Sequence, residues 1–153
     1  MKVAFIGTGS MGGSMSRNLA AAGIDITVFD LNTESMQKPI AAGAKAATSG
    51  VDCVTGADVL ITMLPTPQAI EGCMISSGVA AAMKPGSMWI DMSTSVPETA
   101  KAVGEEVFGD KFVLEGEDEL FLSGDNAYRY FRETRKSACN CKRRIYSIKK
   151  LTC

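Results

Sequence analysis

Apolar positions along the chain alternate between two periods. Lys2–Ile6 is a short, nearly continuous apolar run stopped by Gly7, the pattern of a strand covered on both faces of a parallel sheet. Met11, Met15, Leu19 and Ala22 then recur at helical spacing, with Gly23 as the stop. Asp25–Phe29, rich in β-branched residues, predicts a second strand. Thr33–Ala42 predicts a weaker helix interrupted by Pro39, Ala44–Ala47 a short strand, and Val51–Gly56 a helical turn. Val59–Leu64 is the most apolar strand and should lie centrally; Pro65-Thr66-Pro67 cannot continue its ladder. Helical pieces within Ala69–Met83, a turn at Pro85-Gly86 and a strand over Ser87–Met92 follow. Ser95-Val96-Pro97-Glu98 has the form of a capping box, opening a helix with Val96, Ala100, Val103 and Val107 on one face. Strands alternating with helices give the α/β class, and right-handed crossovers make the parallel sheet doubly wound.

Beyond Lys111–Glu115, which fits one more strand, neither period is sustained. Charge changes at the same place. Glu105–Glu119 holds seven acids against Lys111, and from Ser123 onward nine basic residues stand against Asp125 and Glu133. The expected organisation is therefore a binding domain over residues 1–115 and an irregular or disordered tail over 116–153.

Composition narrows the chemistry. The 153 residues are 46% hydrophobic with a formal net charge of −1, as in an ordinary soluble globular protein. No apolar stretch reaches the roughly 20 residues that span a bilayer. The apolar run after Lys2 is too short for a signal-peptide core, so a cytoplasmic location is expected. The five cysteines (Cys53, Cys73, Cys139, Cys141, Cys153) lack the spacing of a zinc site or disulfide framework and read as reduced thiols; no metal is expected. There is no histidine, which removes the commonest general base.

Gly7-Thr8-Gly9-Ser10-Met11-Gly12 follows a predicted strand and opens a predicted helix, the setting in which G-x-G-x-x-G binds a dinucleotide. Gly7 makes the tight turn, Gly9 lets the backbone approach a pyrophosphate, and Gly12 lets helix pack close to strand. Free N–H groups and the positive end of the helix dipole then face the phosphates. Asp30 closes the second strand at close to the roughly 20-residue interval at which an acid takes the adenosine ribose hydroxyls. Leu31 and Asn32 follow it, with no arginine near to receive a 2′-phosphate, so NAD is expected in preference to NADP. Leu64-Pro65 and Asp91-Met92-Ser93-Thr94 end two strands and should border the same crevice. Equally, Pro65 can be a strand terminator, and Ser93, Thr94 and Ser95 can be capping residues.

Taken with Met63-Leu64-Pro65-Thr66 and Asp91-Met92-Ser93-Thr94-Ser95-Val96-Pro97, the glycine motif resembles the β-hydroxyacid dehydrogenase family. Its members act on 3-hydroxyisobutyrate, tartronate semialdehyde and, more distantly, 6-phosphogluconate. The resemblance covers residues 1 to about 115. It implies that Leu64 and Pro65 contact the cofactor, that Thr94 sits near the nicotinamide, and that Gln68 stands where the family has an asparagine. Asp30 is similar to the NAD-using members. After Glu115 the family continues with Ala-Pro-Val-Ser-Gly-Gly and later an all-helical domain carrying a catalytic lysine; here Gly116-Glu117-Asp118-Glu119 follows instead. No catalytic residue is therefore named. Residues 116–153 are expected to be the product of a truncated, frame-shifted or intron-retaining gene.

Three functions compete at this stage. The chain is the cofactor half of an NAD-dependent dehydrogenase of small 3-hydroxy acids or their semialdehydes, or a stand-alone NAD-binding module without catalysis. In the third reading the basic tail is a nucleic-acid or membrane-surface arm, against which stands the lack of any sequence-specific motif; neither partner is expected. Loss of a helical partner should also leave an apolar face uncovered, open to self-association.

Overall fold

The structure, a computed structural model, describes residues 1–93, 102–106, 113–115 and 128–131. Strands β1 (Lys2–Ile6) and β2 (Asp25–Phe29) form where the two apolar runs predict them. Between them lies helix α1 (Ser10–Ala21). A 3-10 turn, Thr33–Met36, runs into α2 (Gln37–Ala41), and β3 (Lys45–Ala46) and α3 (Gly50–Val54) follow. After β4 (Val59–Thr62) come α4 (Pro67–Glu71), a π-helical turn over Gly72–Ser76, α5 (Val79–Ala82) and β5 (Met88–Asp91). Residues 102–106 are helical, and β6 (Val113–Glu115) and β7 (Tyr128–Phe131) complete the described elements.

The strands order as β3-β2-β1-β4-β5-β7-β6. The first five are mutually parallel, from Thr27 beside Lys45 to Thr62 beside Asp91. This is the doubly wound, Rossmann-type arrangement, with β4 at the centre as its apolarity predicts. Successive residues of each strand serve opposite cores, which is why the runs are continuous rather than alternating. Ala4, Ile6, Leu60 and Trp89 pack with Cys53, Val54, Ile70, Met74, Val79 and Val103. Val3, Phe5, Ile26, Val28, Val59, Ile61 and Ile90 pack with Leu19, Ala20 and Met36. Among the described residues no helix is long and apolar enough to cross a membrane.

Three expectations change. Helix α1 buries Gly12, Gly13, Ser16, Leu19 and Ala20 rather than the Met11–Met15–Ala22 stripe, and Met11 is 65% exposed. Small residues face the sheet because the helix starts in contact with β1: a Cβ on Gly12 would stand 3.1 Å from Phe5 Cε1. Pro39 does not interrupt its helix; it sits buried in the first turn of α2, where its missing N–H has no helical partner to lose. Finally, Tyr128–Phe131, a segment in which the side-chain pattern gives no element, is a strand. It runs antiparallel to β5 on one side and β6 on the other, with Asp91 beside Tyr128 and Glu115 beside Arg129.

Candidate functional site

The ends of β1, β2 and β4 open onto one cavity of about 770 Å³. Its floor is the glycine turn. Gly7 has φ 95°, and a Cβ there would lie 2.3 Å from the Met63 carbonyl oxygen. On Gly12 a Cβ would lie 1.9 Å from the Gly7 carbonyl oxygen. Both glycines are demanded by the protein's own backbone. Gly9 differs: a Cβ there would meet nothing within 4 Å, although the residue lines the cavity. Gly9 is also the N-cap of α1, where no side chain caps the helix and no acid occupies the first turn. The first helical bond runs from the Gly13 N–H to the Gly9 carbonyl at 2.8 Å. The amides of Ser10, Met11 and Gly12 precede it, with the positive end of the helix dipole, at the cavity wall.

Asp30 is held in place before any ligand arrives. Its Oδ2 accepts from the Thr8 N–H at 2.6 Å and the Thr8 hydroxyl at 3.4 Å, and its Oδ1 accepts from the Asn32 N–H at 2.8 Å. A carboxylate offers about four lone-pair sites, so capacity remains for hydroxyls brought into the cavity.

The cavity thus gathers most of the residues read from sequence. Gly7, Gly9, Ser10, Met11 and Gly12 line it from the turn, Asp30 and Leu31 from β2, and Leu64 and Pro65 from β4. Thr8 stands behind the wall, buried, as the anchor of Asp30. Asn32 turns away; its side chain accepts from the Glu34 N–H at 3.1 Å and caps the 3-10 turn. Gln68 is exposed on α4 and does not line the cavity, whereas its neighbour Ala69 does. Thr94 lies outside the described residues, as do the Ser95–Glu98 box, Cys139, Cys141 and Cys153. Sequence reasoning missed Ser49, Gly50 and Val51 at the start of α3 and Cys73 on the π turn, all of which line the cavity. A signal existed for the first three. Ser49 accepts from the Asp52 N–H at 3.0 Å, and Asp52 reaches back to the Thr48 N–H at 2.8 Å, a reciprocal cap that fixes where α3 begins.

Beneath the crevice lies a buried polar chain. Asp91 Oδ1 accepts from the Thr62 hydroxyl at 2.7 Å, the Ser93 hydroxyl at 2.6 Å and the Ser93 N–H at 3.2 Å. Thr62 Oγ1 in turn accepts from the Trp89 indole N–H at 2.9 Å, and Ser93 Oγ from the Leu64 N–H at 2.8 Å. Asp91 Oδ2 is buried without a hydrogen-bond partner. Burial pushes this carboxyl above its usual range, and the bonds from Ser93 and Thr62 pull it only part of the way back. Folded Asp91 therefore holds its proton to a higher pH than the unfolded chain does. Its contribution to stability falls as pH rises past the ordinary value of 3.8. Asp25 and Asp58, held low by hydrogen bonds from Lys45 and Lys84, act with the opposite sign. Comparison with Asp91→Asn isolates the Asp91 effect. Denaturation midpoints taken from about pH 4 to about pH 8 should shift in the variant's favour as pH rises. A difference that stays flat, or moves the other way, contradicts the assignment.

Cys53 and Cys73 are free. Cys53 is buried with Sγ 3.3 Å from the Thr27 carbonyl, and burial pushes its thiol up to about 12. Burial, then the nearby Asp91 charge, pushes Cys73 up to about 11. Both hold their protons at neutral pH.

Residues 2–113 match the family described as the NAD binding domain of 6-phosphogluconate dehydrogenase. The chain is 43% identical over 103 residues to an NAD-dependent L-serine dehydrogenase and 40% identical over 104 residues to a 3-hydroxyisobutyrate dehydrogenase, both of Pseudomonas aeruginosa. Each match covers 67% of this chain and 35% of the relative. Among solved structures, the Mycobacterium tuberculosis 3-hydroxyisobutyrate dehydrogenase with L-serine superposes at a TM-score of 0.67 and 32% identity, over 75% of this chain and 40% of that one. The chain thus spans about a third of the length of the curated relatives it matches.

Proposed function

Because the chain belongs to the family of the NAD binding domain of 6-phosphogluconate dehydrogenase, we propose that it is the cofactor-binding part of an oxidoreductase that uses NAD in preference to NADP and acts on a small 3-hydroxy acid or its semialdehyde. The observation that carries this reading is the pairing of an open position at Gly9 with a carboxylate already oriented at Asp30. The space beside Gly9 and the uncapped start of α1 suit a pyrophosphate. The residues present fit the dinucleotide. Ser10, Met11 and Gly12 would offer their amides to the phosphates, and Asp30 would accept from the adenosine ribose. Leu31 and Val51, both exposed at the cavity rim, would cover apolar ligand surface. When bound, the nicotinamide supplies the hydride acceptor or donor. A 2′-phosphate at Asp30 would meet a like charge, and hydrogen bonds to a charged group are worth about 1.5–3 kcal/mol. Calorimetric titration should therefore show NAD binding roughly tenfold to a hundredfold more tightly than NADP. Tighter binding of NADP overturns the preference.

The identities to an L-serine dehydrogenase and 3-hydroxyisobutyrate dehydrogenases support a small hydroxy acid as the substrate of the whole enzyme. The match over residues 2–113 supports a binding unit over residues 1–115, to whose sheet β7 adds a strand from beyond that boundary. Reduced thiols support a cytoplasmic setting.

A second reading, a dinucleotide-binding module without turnover of its own, is favoured by one feature. Among the described residues lining the cavity the titratable side chains are Asp30, already engaged by Thr8 and Asn32, and Cys73, whose thiol burial pushes up to about 11. Assay of the chain for NAD-dependent oxidation of 3-hydroxyisobutyrate separates the readings: turnover dismisses the module, and NAD binding without turnover favours it.

A further inference from the structure

The buried polar chain at Asp91 has a direction. An indole N–H and a backbone N–H can only donate, so Thr62 and Ser93 accept from Trp89 and Leu64 and must aim their own hydroxyl protons at Asp91 Oδ1. One oxygen thereby ties together the last residues of β4 and β5 and the first residues of the loops that leave them. The burial of Asp91, at 0% exposure with Oδ2 unpartnered, is a large concession for a strand end. Its product is a fixed Leu64 backbone.

Strand order tells what that backbone faces. At the carboxyl ends of the strands, β2, β1, β4 and β5 are followed in turn by Asp30, the glycine turn, Leu64 and, buried behind it, Ser93. A dinucleotide whose adenosine ribose is held at Asp30 and whose phosphates lie over the turn must extend its other half toward Leu64 and Ser93. Leu64 already closes on the turn: its Cδ2 would be 3.1 Å from a Cβ on Gly7. Building on the dinucleotide reading, we propose that Asp91 is a positioning residue for the half of the cofactor beyond the pyrophosphate, acting through Ser93 on the Leu64 backbone. The geometry fits the task, since Oδ1 alone accepts all three bonds.

The test is a set of paired titrations of the chain with NAD and with ADP, which lacks the half beyond the pyrophosphate. Ser93→Ala strands the Leu64 N–H and should weaken NAD by about tenfold while ADP stays within about twofold of the parent. Asp91→Ala should do the same, and Asp91→Asn, which keeps an Oδ1 acceptor, should recover most of the NAD affinity. If Asp91→Ala does not fold, Ser93→Ala decides alone. Equal losses for both ligands, or no loss for NAD in Ser93→Ala, overturn the proposal. Failure of the parent chain to bind NAD at all overturns the dinucleotide reading and, with it, the role of Asp91.

Discussion

Gly9→Ala is expected to leave the fold intact and remove dinucleotide binding, whereas Gly12→Ala is expected to damage the fold itself. The two substitutions add the same methyl group to the same loop. At Gly12 it meets backbone, with the Gly7 carbonyl oxygen at 1.9 Å and its carbon at 3.0 Å, and neither α1 nor β1 can retreat without dragging its core along. The penalty should be about 3 kcal/mol or more, above the common range for overpacking. At Gly9 the methyl meets no protein atom within 4 Å, and φ is −61°, a value open to any residue. Stability should change by no more than about 0.5 kcal/mol. The methyl instead fills the approach to the amides of Ser10, Met11 and Gly12, and NAD affinity should fall by about a hundredfold, the scale of losing two charge-assisted bonds. Thermal denaturation and calorimetric titration read the two effects separately. A Gly9→Ala protein that binds NAD like the parent sinks the pyrophosphate assignment.

The second large effect is expected at Asp30. In Asp30→Ala the buried Thr8 amide loses its acceptor at 2.6 Å, which should lower stability by about 1–3 kcal/mol, and NAD affinity should fall by roughly tenfold to a hundredfold. Asp30→Asn is the sharper probe. It can retain an acceptor for Thr8 while removing the charge that opposes a 2′-phosphate, so NAD and NADP affinities should converge to within about threefold of each other. Paired titrations of the parent and Asp30→Asn check this. An unchanged ratio would mean that preference is set by some group other than the Asp30 carboxylate.

What the sequence could and could not disclose divides along physical lines. β1 is legible because a strand buried on both faces must be apolar along its run, and β2 because its β-branched residues suit a half-buried strand. The glycine turn is legible because its backbone geometry excludes other residues at Gly7 and Gly12. Hydrophobic spacing does not give the buried face of α1 because size decides there: contact with β1 selects Gly12, Gly13 and Ser16 over the methionines. The cap at Ser49 and Asp52 marks where α3 begins, but that this start and Cys73 reach the cavity depends on the crossing of elements distant in sequence, which no local pattern encodes. Asn32 follows Asp30 in sequence and Gln68 stands where the resemblance puts an asparagine, but a capping bond turns the first aside and the second is exposed on α4, outside the cavity lining. Tyr128–Phe131 owes its strand to main-chain pairing with β5 and β6, and such pairing leaves little mark on side-chain order.

The silence of the two thiols has a practical sequel. Because cysteines react as thiolates, an alkylating reagent must wait for buried Cys53 to be uncovered, and its rate of labelling becomes a clock for local opening. Cys53, sealed beneath β1 and β2, times the parting of the sheet from α3. Cys73, already half-buried in the wall of the cavity, is reached through that space, so a ligand lodged there would slow its labelling and leave the Cys53 clock running.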